Sequence, residues 1–290
     1  MEIVFHIGAH CTDEDRIIKC LLKNRVALAA EGIIVPWPRQ YRFLFRDLLG
    51  RLKGRRASPE MQTLILDAVM AQDRPERVVF AHDMLLGLRS DALGSGRLYP
   101  GGAARVAALR NLFPDHPVSF RIGLRDPATF LQALHAASEP ASPAALPGGI
   151  DPLRLRWSVV LEEMRAAAPD APITAWCNED LAVLWPEVLR AVTGHRPETA
   201  LDFQLEFMAE LMQPEGVERM KAYLADNPPA TEARRRRAVA AFLEKFGRPE
   251  KLQIEIDLPG WTQDYVEAVS AAYEADLARV AGIAGVTLLA

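Results

Sequence analysis

Four short polar clusters carry most of the chemistry that this sequence offers: His10-Cys11-Thr12-Asp13, His82-Asp83, Arg125-Asp126 and Cys177-Asn178-Glu179. Each directly follows a run of apolar residues. An imidazole such as His82 suits general base work near neutral pH, or serves as hydrogen-bonded scaffold. Asp83 offers a carboxylate for proton abstraction or for capping the turn it begins. Cys11 raises the question of a thiol nucleophile at a helix N-terminus, where the dipole lowers a thiol pKa. The carboxylates of Asp13, Glu14 and Asp15 oppose that shift, which leaves a passive thiol as the simpler reading. The same three carboxylates either cap their own helix or, with His10 or His82, form an oxygen-rich cation site. Arg125 either meets an anion or pairs with Asp126 or Asp83. His6, inside the first apolar run, reads as a core residue with one hydrogen bond.

The elements that must position these clusters follow from hydrophobic spacing. Residues 2–8 form a continuous apolar run with Ile3, Val4, Phe5 and Ile7, the pattern of a strand buried on both faces of a parallel sheet. Thr12 with Asp15 resembles a capping box for a helix over 12–30. Further strands are predicted at 32–35, 77–81, 118–124 and 173–176. Helices are predicted at 58–72, with Ser58 as cap and Pro59 in the first turn, and at 102–112, from Pro127, at 153–168 and at 179–192. Beyond Pro197 the pattern turns helical, at 217–225, 231–246 and 262–281, while 252–258 reads as an edge strand or extended chain. Residues 139–152 hold four prolines and two glycines, the composition of a long loop or lid. The expected fold is one α/β domain over 1–290, with a parallel sheet covered by helices on both faces in 1–196 and a mainly helical extension over 197–290. In such sheets ligands bind beyond the carboxyl ends of the strands, where the four polar clusters fall.

Phe5-His6-Ile7-Gly8-Ala9-His10-Cys11-Thr12 resembles the 5′-phosphosulfate loop of bacterial P-loop sulfotransferases, where a similar strand ends in His-Ile-Gly-x-x-Lys-Thr-Gly-Thr-Thr. Ala81-His82-Asp83-Met84-Leu85-Leu86-Gly87 is similar to the family's Ser-x-Glu-x-Leu-x-Gly segment, whose carboxylate is commonly the acceptor base. Arg125-Asp126-Pro127 looks like its 3′-phosphate loop, in which a serine follows the arginine about two helical turns on. Trp176-x-x-Glu179-Asp180 leading to Gly194, and Tyr273-x-x-Asp276-Leu277 with Gly285-Val286, also look like members of this family. The resemblance spans most of the chain. It implies a three-layer fold of the P-loop NTPase and sulfotransferase type, with 3′-phosphoadenosine 5′-phosphosulfate as donor. Gly8, His10, Cys11, Thr12 and Arg125 would stand at the donor site, and Asp83 or His82 at the base position.

The departures fall on the donor loop. Alignment on Thr12 puts Cys11 at the family's lysine, Asp13 at its glycine, and Glu14 and Asp15 at its two hydroxyl residues. A carboxylate about 6 Å from a phosphate costs roughly 2–3 kcal/mol at an effective dielectric near 20. Two or three such terms remove several orders of magnitude of affinity. Arg125 persists, but the position two turns on is Ala133, and Ser138 lies too far along to replace the serine simply. Asp83 is one methylene shorter than the usual glutamate. The resemblance therefore implies a sulfotransferase-like protein that is inactive or works on another ligand. Its competitors are an active sulfotransferase with atypical donor binding and a non-catalytic interaction protein.

Bulk properties narrow the partners. A net charge of −4 gives no global attraction to nucleic acid. No basic leader or apolar stretch of about 18 residues occurs, which gives an expectation of a cytoplasmic protein without a transmembrane segment. Three cysteines, at 11, 20 and 177, are too few and too scattered for a disulfide framework, and no ligand spacing suggests a structural metal. Residues 39–56 carry Arg39, Arg42, Arg46, Arg51, Lys53, Arg55 and Arg56 against Asp47 alone, interleaved with Tyr41, Phe43 and Phe45. This segment either meets an anionic acceptor, partner or membrane surface, or is a solvated helix face with aromatic anchors in the core. Arg234 to Arg237 sit in a predicted helix, so consecutive side chains point in different directions.

Overall fold

A computed structural model describes residues 1–70, 75–137, 150–202, 205–252, 254 and 256–290. Six strands form a parallel sheet: β1 (Glu2–His6), β2 (Ile33–Ile34), β3 (Arg77–Ala81), β6 (Val118–Leu124), β7 (Ile173–Cys177) and β8 (Val286–Leu289). A small antiparallel hairpin, β4 (Leu93–Gly94) with β5 (Arg97–Leu98), stands apart. The sheet order is β2-β3-β1-β6-β7-β8. Side chains alternate across a strand, so Ile3 and Phe5 enter one apolar cluster and Val4 the other. Phe5 is paired in register with Phe80 of β3 and Phe120 of β6, and its ring lies 5.5 and 5.6 Å from theirs. This row of stacked rings locks the three central strands in register, each pair contributing about 0.5–1.5 kcal/mol beyond its buried area.

Helices α1 (Arg16–Lys23) and α2 (Arg25–Ala30) connect β1 to β2, and α3 (Pro38–Leu52) and α4 (Pro59–Val69) connect β2 to β3. Then follow α5 (Gly102–Arg110), α6 (Pro127–Ala136), α7 (Trp157–Ala167) and α8 (Leu181–Thr193). Apolar residues of α3 to α7 cover the Phe5 face, and those of α1, α2 and α8 cover the Val4 face. Helices α9 (Glu206–Leu211), α10 (Pro214–Asp226) and α11 (Glu232–Phe246) bury a smaller cluster around Met208, Met212 and Met220. After α12 (Pro249–Leu252), α13 (Gln263–Ala281) returns to pack on α7 and α6. Its Asp276 is buried and accepts hydrogen bonds from the Ser158 amide and hydroxyl.

The strands predicted at 77–81 and 118–124 coincide with β3 and β6. The expected helix over 12–30 is corrected: α1 begins only at Arg16, and Thr12 does not cap it. Cys11, Glu14 and Asp15 all have left-handed φ, at 55°, 49° and 62°, so the chain winds through an irregular loop before a helix can start. Thr12 instead donates its hydroxyl to the Ala9 carbonyl at 2.7 Å. The 197–290 segment is not purely a helical extension, because Val286–Leu289 joins the sheet beside β7. In 252–258, Leu252 ends α12, residues 256–258 have no regular structure, and Gln253 and Glu255 lie outside the described residues. Most of the expected loop over 139–152, Ser138, and the predicted end of the helix over 58–72 also fall outside them.

Candidate functional site

β1 and β6 are neighbours, yet the chain leaves β1 toward β2 on one side and leaves β6 toward β7 on the other. Oppositely directed connections leave a crevice at the carboxyl ends of those strands. A cavity of about 440 Å³ opens there, and its lining includes Gly8, Cys11, Thr12, Asp13, His82, Asp83 and Arg125. Three of the four predicted clusters thus converge. The fourth does not: Glu179 accepts from the Asp126 amide at 2.9 Å and from the Tyr273 hydroxyl at 3.3 Å, tying strand ends to α13. Burial raises its carboxyl above the ordinary value.

Gly8 shapes the crevice. Its φ is +96°, and a Cβ there would lie 3.4 Å from the Asp83 Cα, so glycine lets the β1 exit pass close under Asp83. The Gly8 carbonyl accepts from the Gly123 amide at 2.7 Å, extending the β1–β6 ladder into the site. His10, expected at the donor site, is not among the residues lining the cavity. Its amide donates to the Tyr99 hydroxyl at 2.9 Å, its ring stacks on Tyr99, and its Nδ1 lies 2.9 Å from the same oxygen. Both contacts fall on one phenolic oxygen, which holds the ring against Tyr99.

The acidic loop is partly folded back on itself. Asp13 is 8% exposed, and its Oδ2 accepts from the Ile17 amide at 2.9 Å while its carbonyl accepts from Arg16 at 2.8 Å. Glu14 pairs with Arg16 at 3.0 Å, and Arg16 also reaches Glu210 at 2.7 Å. Asp15 makes no side-chain cap. Self-capping therefore describes Asp13 but not its neighbours. Among the described residues, no group of three or more His, Cys, Asp or Glu side chains is placed to hold a metal ion.

Arg125 takes neither expected carboxylate partner. Its Nη1 donates to the Cys11 carbonyl and its Nε to the Thr129 hydroxyl at 3.0 Å. Ala133 lines the cavity without a hydroxyl, and the nearest substitute, Thr129, is already engaged by the guanidinium. The Cys11 thiol is half-buried and stands ahead of α1 rather than at its first turn. Burial raises its pKa despite the nearby guanidiniums of Arg89 and Arg125. Burial also pushes the Asp83 carboxyl up, but the His82 contact, the two imidazoles and the Met84 amide outweigh it and leave Asp83 below its ordinary value. A weakly basic carboxylate is a poor proton acceptor. His82 Nδ1 lies 3.1 Å from both the Met84 amide and Asp83 Oδ1. The Nδ1 lone pair accepts from the Met84 amide and so caps the turn that follows β3.

No protein-family model, curated protein or solved structure matches this chain. Two cavity residues with titratable side chains, Arg89 and His6, were not anticipated as site residues. Arg89 sits in a short turn after Asp83 and donates to the Ala137 carbonyl at 2.9 Å. Turns of this kind have no periodicity, and an arginine six positions past the strand-end acid was the one signal available. His6 lies at the cavity with its ring stacked on Trp176, and its buried Nε2 has no partner among the described residues. The lining carries the carboxylates of Asp13, Glu14, Asp15 and Asp83 against the guanidiniums of Arg89 and Arg125. That balance disfavours a polyanion and suits a ligand bearing less negative charge.

Proposed function

We propose that this chain is a sulfotransferase-like protein of the three-layer P-loop type whose crevice is closed to 3′-phosphoadenosine 5′-phosphosulfate and is impaired in, or repurposed from, sulfuryl transfer. One observation carries the reading: the Asp13 carboxylate occupies the Ile17 amide at 2.9 Å, in the first turn of the helix after β1. A phosphate binds such a helix through those amides and the positive end of the dipole. Here a side chain of the loop itself already satisfies one of them, and Cys11 supplies no charge where the resemblance calls for a lysine. The ordered strand-end clusters and their convergence at the β1/β6 crevice support the scaffold half of the reading. A lowered Asp83 pKa and the four lining carboxylates support the impaired half.

The second reading, an active sulfotransferase with atypical donor binding, draws on Arg89 and Arg125 lining the same cavity as Asp83 and His82. Calorimetric titration with 3′-phosphoadenosine 5′-phosphate separates the two. The wild-type chain is expected to show no binding at micromolar concentrations, and a variant carrying Cys11→Lys, Asp13→Gly, Glu14→Thr and Asp15→Thr is expected to gain it. Micromolar binding by the wild type overturns the closed-loop reading in favour of the second. Failure of a folded repaired variant, judged by its unfolding midpoint, removes the sulfotransferase scaffold from consideration.

A further inference from the structure

We propose that the outer face of α3 docks on an anionic phospholipid surface. The inference does not depend on the reading of the crevice. Along α3, Arg39, Arg42, Phe43, Arg46 and Gly50 share an arc of about 100°, opposite Tyr41, Phe45, Leu48 and Leu52, which are buried in the core. The arc runs the length of the helix, about 22 Å. The single acid within 39–56, Asp47, lies beside this arc and pairs with Arg46 at 3.4 Å. Among the described residues the other cations of this segment make no ion pair, and Arg55 and Arg56 extend the positive surface past the helix end.

Two large rings stand exposed in this field. Phe43 is 50% exposed, with the guanidiniums of Arg42 and Arg46 at 4.5 and 5.1 Å from its centroid. Trp37, just before the helix, is 38% exposed and carries Arg25 and Arg39 at 5.9 and 5.4 Å. A ring bracketed by guanidiniums places an apolar anchor and its charges in one layer, as a lipid headgroup region requires. A nucleic-acid base instead needs an open ring face on which to stack, and the guanidiniums already approach these faces. Phe43 projects from the outside of α3 and Trp37 stands at its start, where the charge complements a broad anionic surface.

Sedimentation with vesicles of phosphatidylcholine alone, and of three parts phosphatidylcholine to one part phosphatidylserine, tests the proposal on the intact chain. Binding is expected to the phosphatidylserine vesicles only, weakening as salt is raised. Each neutralised arginine lowers the partition about fivefold, so Arg39→Gln, Arg42→Gln and Arg46→Gln together lower it about 100-fold. Phe43→Ser lowers the salt-resistant part. Arg234→Gln with Arg237→Gln, exposed cations on α11, leaves the partition unchanged, and matched unfolding midpoints establish that every variant is folded. Equal or no binding to the two vesicle types overturns the proposal. So does an unaffected triple variant, or binding to single-stranded RNA or polyglutamate without binding to the anionic vesicles.

Discussion

The Tyr41 hydroxyl holds both backbone groups of Ala81, accepting from its amide at 3.0 Å and donating to its carbonyl at 2.8 Å. Ala81 is the last residue of β3, and His82 and Asp83 follow it into the crevice. A phenol on α3 thus finishes the hydrogen bonding of a buried strand end and fixes the departure of the site loop.

Tyr41→Phe removes that oxygen without changing the packing of the ring. Two buried backbone groups lose their partner, and the expected cost is about 1–3 kcal/mol. Urea unfolding measures the loss. A companion Phe45→Tyr variant is also expected to lose stability, since it buries a hydroxyl where an apolar edge packs against Phe5, Phe80 and Phe113.

Acid should destabilise the fold from just below neutrality. Burial holds His6 and His10 below the ordinary histidine value of 6.5, so the unfolded chain takes up protons there that the folded chain resists. The stability tied to their neutrality is complete above the unfolded value and declines as pH falls below 6.5 toward the lowered folded values. The slope for one such group is at most about 1.4 kcal/mol per pH unit. Urea midpoints between about pH 8 and pH 5 are expected to fall, and His6→Phe to flatten that fall.

Thiol labelling should discriminate the three cysteines. Cys11 is half-buried, whereas Cys20 and Cys177 are buried with pKa values pushed up to about 11 by desolvation. Iodoacetamide at mildly alkaline pH is expected to modify Cys11 first, more slowly than a free thiol, and the others only on unfolding. Arg89→Ala removes a cation that lowers the Cys11 pKa, so it is expected to slow the reaction further. Peptide mass spectrometry gives the order, and faster labelling of Cys20 or Cys177 in the folded chain contradicts it.

Asp276→Ala is expected to cost about 2–3 kcal/mol, because the Ser158 amide and hydroxyl lose a buried acceptor together. Ser158→Ala removes only the hydroxyl and is expected to cost about 1 kcal/mol. Thermal unfolding of the two single variants and the double variant measures their coupling.

The central strands were legible because burial on both faces leaves an unbroken apolar run, as in Ile3-Val4-Phe5. The meeting of His82, Asp83, Cys11 and Arg125 was legible because adjacent parallel strands bring their carboxyl ends together. Thr12 was misread because nothing in its composition reveals the left-handed residues at Glu14 and Asp15 that delay the helix. The inward turn of His10 depends on Tyr99, 89 positions away, and sequence spacing carries no trace of it. β8 was missed for a related reason: four residues gain their pairing only from β7.

The stacking of His6 on Trp176, at 5.6 Å and 17° between planes, gives the crevice floor an optical property. A protonated imidazole draws electron density from an excited indole and dims its emission. The wild-type chain is therefore expected to lose emission as acid protonates His6, and His6→Phe to lose less of it.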